Sequence, residues 1–217
     1  MIDAAITRLV LVRHGETLAN REFRYIGSRD DALSERGVQQ ASRLAEALAA
    51  LPIAAVYSSP LQRAYQTALP IAHQHTLKPQ VLTALREGDF GVWEGLSRTE
   101  VLARSEGDRQ KLLVWEQDPS LAPPEGESFA ALQQRVCACV ELIAQQHPGQ
   151  TVVLVSHVGP IKVLLCQAMN APLVSLFHLF LDPATISVVD WGQRPMLRLF
   201  NSHAHLGWDQ ARWLQSY

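Results

Sequence analysis

LVLVRHGET (9–17) begins with four apolar residues and stops abruptly in charged and polar ones. A strand covered on both faces reads this way, because it has no solvent side to alternate toward. TVVLVSH (151–157) repeats the pattern, and AVYSSP (55–60) closes a third such run over 54–57. Helical spacing fills the intervals. Ser34 can cap a helix to about Leu51 that gathers Val38, Ala41, Leu44, Ala45 and Leu48 on one face. Residues 61–75 are helical apart from Pro70, which should end or kink the helix, and 129–146 form a long amphipathic helix. After strand 151–155, a turn at 156–160 leads to a helix over 161–169. Strands alternating with helices predict an α/β fold, a three-layer α/β/α sandwich around a mostly parallel sheet. Two last strands, 185–191 and 196–200, joined by GQRP (192–195), predict a hairpin on that sheet.

The 217 residues show no seam, so a single domain over 1–217 is expected. Hydrophobic residues at 47% and charged ones at 18% exclude a largely disordered or fibrous chain. One stretch breaks the alternation. Residues 87–128 carry Gly88, Gly91, Gly95, Gly107, Pro119, Pro123, Pro124 and Gly126 around short helical pieces at 99–104 and 109–115. A segment this long and broken inside a domain reads as a lid-like excursion. Nineteen basic against 21 acidic residues leave a charge of -2, too little to signal a nucleic-acid partner. The apolar run at 9–12 is too short to span a membrane and Asp3 precedes it, so neither a membrane partner nor a secretory leader is expected. Three cysteines cannot all pair, and Cys137 and Cys139 diverge on one helix, which favours reduced thiols and a cytoplasmic location. The oligomeric state is unsigned; an edge-to-edge homodimer is left open.

Each of the three strands runs straight into reactive side chains. Arg13 and His14 follow the first, Arg63 lies just past the second, and His157 follows the last. The carboxyl ends of parallel strands, with the helix starts beyond them, form the ligand crevice of such sheets. Singly, an arginine here is a surface salt bridge and a histidine a core hydrogen bond. Together they describe an anion-sized pocket. Arg13 and Arg63 can grip phosphate oxygens bidentately, and Gly15 lets the backbone come close. No cysteine stands in a phosphate loop and no serine in a nucleophile elbow, whereas an imidazole nitrogen is a competent nucleophile. His14, kept neutral by the neighbouring arginines, fits that part. His157 can donate to the oxygens on which charge builds. The departing alkoxide needs a carboxylic acid, and residue chemistry alone rates Glu87 and Glu94 equally. Thr17 reads as a helix start and Glu16 as a structural partner, while most of Arg21, Arg24 and Arg29 read as solvated surface. Trp93, Trp115 and Trp191 read as packing, with Trp115 the one that could line a substrate mouth. His73-x-His75 and His203-x-His205 lack the partners a metal needs, so no metal or other cofactor is expected.

On these residues the chain resembles the histidine phosphatase superfamily, the phosphoglycerate mutase-like proteins, along nearly its whole length. LVLVRHGETLAN (9–20) is similar to the signature whose histidine becomes phosphorylated. IGSRDDALSERGVQQA (26–41), VYSSPLQRAYQTA (56–68), LREGDFGVWEG (85–95) and VSHVGPIK (155–162) are similar to further family blocks, in order. The resemblance implies His14 as nucleophile, Arg13, Arg63, His157 and Asn20 as phosphate contacts, and Glu87 as the acid. It implies a metal-independent phosphomonoester phosphatase acting on a small phosphorylated substrate, such as α-ribazole phosphate, phosphoserine or a sugar phosphate. PPEGESF (123–129) and LFNSHAHLG (199–207) look more like the α-ribazole-5′-phosphate phosphatase branch than like the mutases. Two rivals remain. A bisphosphoglycerate-dependent phosphoglycerate mutase typically reads E-R-H-Y-G where this chain has EGDFG (87–91), which lacks groups to hold a carboxylate. A catalytically inactive phosphoprotein-binding module would need neither His14 nor Glu87.

Overall fold

The computed structural model describes residues 6–212, so the reading of the amino-terminal segment falls partly outside it, on residues 1–5. Six strands form one sheet: β1 (Thr7–Arg13), β2 (Ile53–Ser58), β3 (Gln80–Val81), β4 (Thr151–Ser156), β5 (Ile186–Trp191) and β6 (Met196–Ser202). Their order is β3-β2-β4-β1-β5-β6. β4 runs parallel to β1 and β2, and β3 parallel to β2. β5 pairs antiparallel with β1 and β6 antiparallel with β5, giving the terminal hairpin. Only β3, two exposed edge residues, carries too little pattern to be read from sequence.

The α-helices are α1 (Leu18–Arg21), α2 (Glu35–Leu48), α3 (Gln62–Gln74), α4 (Arg98–Arg104), α5 (Glu106–Trp115), α6 (Phe129–Gln146) and α7 (Val158–Ala168). Alternation along β1 sorts the core. Leu9 and Leu11 join Val136 and Val140 of α6 and Ile161 and Leu164 of α7. Val10 and Val12 join Leu44 and Leu48 of α2 and Ala68 and Ile71 of α3. Two cores on opposite faces of one sheet make the three layers.

Local readings shift in three places. α2 stops at Leu48, and Val38 lies on its exposed side at 58%. α3 continues through Pro70, held by the buried face of Ala68, Ile71 and Ala72. α7 starts at Val158 rather than after the expected turn, because Pro160 sits in its first turn, where a helix has no N–H bond to lose. His157 thereby becomes the residue that opens α7. The 87–128 segment is fastened to the domain: its Trp93, Val101, Leu112 and Trp115 are buried in the same core as α6 and α7.

Candidate active site

Parallel pairing sets Arg13 opposite Ser156 at the carboxyl ends of β1 and β4. His14 and His157, each one residue further, therefore meet, with ring centroids 5.0 Å apart and planes tilted by 60°. β2 ends beside them, where the Ser59 N–H donates to the Val155 carbonyl at 3.0 Å. Arg63 enters from the first turn of α3.

His14 Nδ1 lies 2.7 Å from the Gly15 carbonyl oxygen. A carbonyl only accepts, so Nδ1 carries the proton and Nε2 keeps its lone pair. Burial, then the charges of Arg63 and Arg13, hold this histidine well below its usual pKa, and the ring stays neutral. Burial, Arg63 and His14 depress His157 in the same way. Its Nε2 is 2.8 Å from Ser59 Oγ. When that hydroxyl donates to Nε2, the ring proton sits on Nδ1.

The two arginines are anchored by carbonyls. Arg63, 1% exposed, donates to the backbone oxygens of Arg29 at 2.6 Å and Gly27 at 3.0 Å. Arg13 donates to Leu181, and burial lowers its pKa to about 10, which leaves it charged at neutral pH. Three buried nitrogens of this site have no partner among the described residues: Arg13 Nε, Arg63 Nε and His157 Nδ1. Leaving one such group unsatisfied costs about 1–3 kcal/mol. Three around one neutral imidazole form a place for an anion with several oxygens.

The structure separates the two candidate acids. Glu94 accepts from the Ser28 N–H at 2.6 Å and hydroxyl at 3.0 Å, tying two loops together. Glu87 lines one cavity with His14. Ser156 Oγ donates to Leu85 at 2.7 Å, drawing the Glu87 loop onto the end of β4. Glu87 Oε1 then accepts from the Gly88 and Gly159 N–H groups, each at 3.0 Å. Burial raises the Glu87 pKa above the usual carboxylate range, against the pull of those two N–H groups, Arg63 and Arg13. A side chain at Gly159 would collide with Glu87 Oε1, so this glycine is what admits the carboxyl to the start of α7.

A cavity of about 300 Å³ is lined by Arg13, His14, Asn20, Arg63 and Glu87, with His157 buried behind. Asn20 also shares a reciprocal cap with Thr17: each side chain accepts the other's N–H at 3.2 Å. Glu16 is buried against Ser34, Arg36 and Arg21, the structural part expected of it. A larger cleft of about 910 Å³, bordered by Arg21, Arg29 and Arg36, holds neither histidine. Trp115 lines the smaller cavity. His205 Nε2 meets the Ala184 carbonyl at 3.0 Å, and among the described residues no group of three His, Cys, Asp or Glu could hold a metal.

Sequence reasoning missed Arg135, Ser59 and Lys162. Arg135 of α6 holds the acid's loop through the carbonyls of Ala84 (2.8 Å), Arg86 (3.0 Å) and Glu87 (3.0 Å), while pairing with Glu127 at 2.8 Å. Nothing in a helical sequence marks such an arginine.

A model of the histidine phosphatase superfamily, branch 1, matches residues 9–202. A bifunctional protein of Mycobacterium tuberculosis is 43% identical over 186 residues, covering 85% of this chain and 50% of that protein. The chain thus spans about half the length of the first curated relatives it matches. Phosphoserine phosphatase 1 of Hydrogenobacter thermophilus is 35% identical over 204 residues, covering 93% of this chain and 95% of that protein. The solved structure of Bacillus stearothermophilus YhfR aligns with a TM-score of 0.85 at 31% identity, covering 93% of this chain and 100% of that one.

Proposed function

Because the chain belongs to the histidine phosphatase superfamily, we propose that it is a phosphoric monoester hydrolase that works through a phosphohistidine at His14 and needs no metal. The observation that carries this reading is the trio of unpartnered buried donors around the His14 lone pair. Arg13 Nε, Arg63 Nε and His157 Nδ1, with Asn20, bind the phosphoryl oxygens. His14 Nε2 attacks phosphorus as the bond to the leaving oxygen breaks, and Glu87 gives that oxygen its proton. Water then attacks the phosphohistidine, ionised Glu87 takes the water's proton, and the N–P bond breaks to release phosphate. One carboxyl serves as acid and then as base, a task helped by its raised pKa. The substrate is a small phosphorylated metabolite such as α-ribazole phosphate, phosphoserine or a sugar phosphate. Three free cysteines suit a reducing cytoplasm.

Because arginine and histidine supply the positive charge, p-nitrophenyl phosphate should be hydrolysed at full rate in EDTA. Loss of that rate, restored by Mg²⁺ or Zn²⁺, would overturn the reading, and no hydrolysis at all would favour a binding module. Gly159→Ala should push Glu87 aside and slow phosphorylation of the enzyme by alkyl phosphates about 10–100-fold while sparing that step with aryl phosphates. Pre-steady-state bursts on the two substrate types check this.

Beyond Glu87, the backbone N–H of Gly88 is held by the carboxylate, Asp89 caps the Gly91 N–H at 2.7 Å, and Phe90 faces the cavity. None of them offers a cation to a phosphoglycerate carboxylate. With 3-phosphoglycerate and catalytic 2,3-bisphosphoglycerate, any reaction should therefore yield glycerate and phosphate. Rapid formation of 2-phosphoglycerate would select the mutase instead.

A further inference from the structure

Two further donors line the cavity, outside the phosphate contacts proposed above. Lys162 of α7 lines it and, among the described residues, makes no hydrogen bond or ion pair; burial lowers its pKa to about 8. Trp115, 5% exposed, lines the same cavity, and its indole N–H is buried without an acceptor. Other charged groups along this wall are engaged. Arg24 is bonded to Glu22 at 2.6 Å and Glu100 at 2.8 Å, and Glu116 is forked with Arg98 at 2.6 and 2.7 Å. Around Trp115 the wall is apolar: the rings of Tyr25, Phe90, Phe129 and Phe177 have centroids 6.1, 6.1, 5.3 and 5.7 Å from it.

An ammonium with no hydrogen bond or ion pair and an indole N–H with no acceptor, both on the lining of one cavity, are each costly. We propose that this part of the cavity is the leaving-group subsite, and that it selects phosphate esters whose leaving group joins a planar apolar body to an anionic substituent held by Lys162 and the Trp115 N–H. The assignment rests on the phosphatase reading above. Tyr25, Phe90 and Phe177 meet Trp115 edge to face and Phe129 stacks on it, so both faces and edges are offered to a planar guest.

The test reads binding, so that it does not depend on turnover. Calorimetry compares benzylphosphonate with 4-carboxybenzylphosphonate on the wild-type chain and on Lys162→Met, Lys162→Arg and Trp115→Phe. The carboxylated ligand should bind about tenfold tighter to the wild type. Lys162→Met should bring the ratio close to one, Lys162→Arg should restore most of it, and Trp115→Phe should reduce it. A wild-type ratio within twofold, a ratio unchanged in Lys162→Met, or no binding of either ligand would overturn the proposal. Phosphate release from phenyl phosphate, measured beside it, reports separately on the phosphatase reading.

Discussion

Replacing His14 with alanine should lower kcat/KM for every phosphomonoester by about 10⁴-fold or more. Gly15 fixes the His14 proton on Nδ1 and leaves Nε2 open, and burial beside two arginines keeps the ring neutral. His157, the other imidazole present, has its Nε2 on Ser59 and the role of a donor. The phosphate donors survive the substitution, so vanadate should still bind the alanine variant. His14→Asn, which keeps a hydrogen-bonding side chain near the Gly15 carbonyl, should be equally inactive. Vanadate binding by an inactive variant distinguishes lost chemistry from lost fold. A residual rate within about tenfold of wild type would move the nucleophile elsewhere.

Glu87→Gln should slow phosphorylation of the enzyme by alkyl phosphates about 10³-fold, and by aryl phosphates about tenfold or less, because a phenolate leaves without a proton. A pre-steady-state burst reads that step apart from hydrolysis of the phosphoenzyme, which should also slow. Equal burst losses on both substrates would remove Glu87 as the acid. The same substitution makes a stability prediction. The folded-state pKa of Glu87 is raised, so between its unfolded and folded pKa values the folded chain binds the extra proton, and stability falls as pH rises. Glutamine removes that penalty while still accepting the Gly88 and Gly159 N–H bonds. The variant should therefore melt higher than wild type near pH 7, and the gain should vanish below about pH 4, where the carboxyl is protonated in both states.

These effects depend on how strand ends place side chains, and that much is visible in the chain itself. An apolar run that stops in Arg13 and His14, and another that stops in His157, can be read as two strands ending in one crevice. That the rings meet at 5.0 Å follows from the parallel register of β1 and β4. Pro160 misled the reading of α7, because a proline in a first helical turn and one in a loop look alike in sequence. The choice between Glu87 and Glu94 is invisible to local pattern. In space the two part: Glu87 Oε1 accepts from the Gly159 N–H, 72 residues away, while Glu94 is held by Ser28. Lys162 and Arg135 were unreadable for a related reason: what distinguishes them is which groups face them across the fold. The Gly- and Pro-rich composition of 87–128 reads as a loose excursion, yet Trp93 and Trp115, read from the sequence as packing, fasten that segment to the core.

Trapping the intermediate tests most directly whether phosphate passes through His14. The chain is mixed with radiolabelled phosphomonoester, quenched within one turnover in alkaline denaturant, digested and mapped by mass spectrometry. One acid-labile, base-stable phosphoryl group should form on His14, at least as fast as product, and be absent from the His14→Ala chain. A label on any other residue, or full-rate turnover by the wild type with no label on His14, would contradict it.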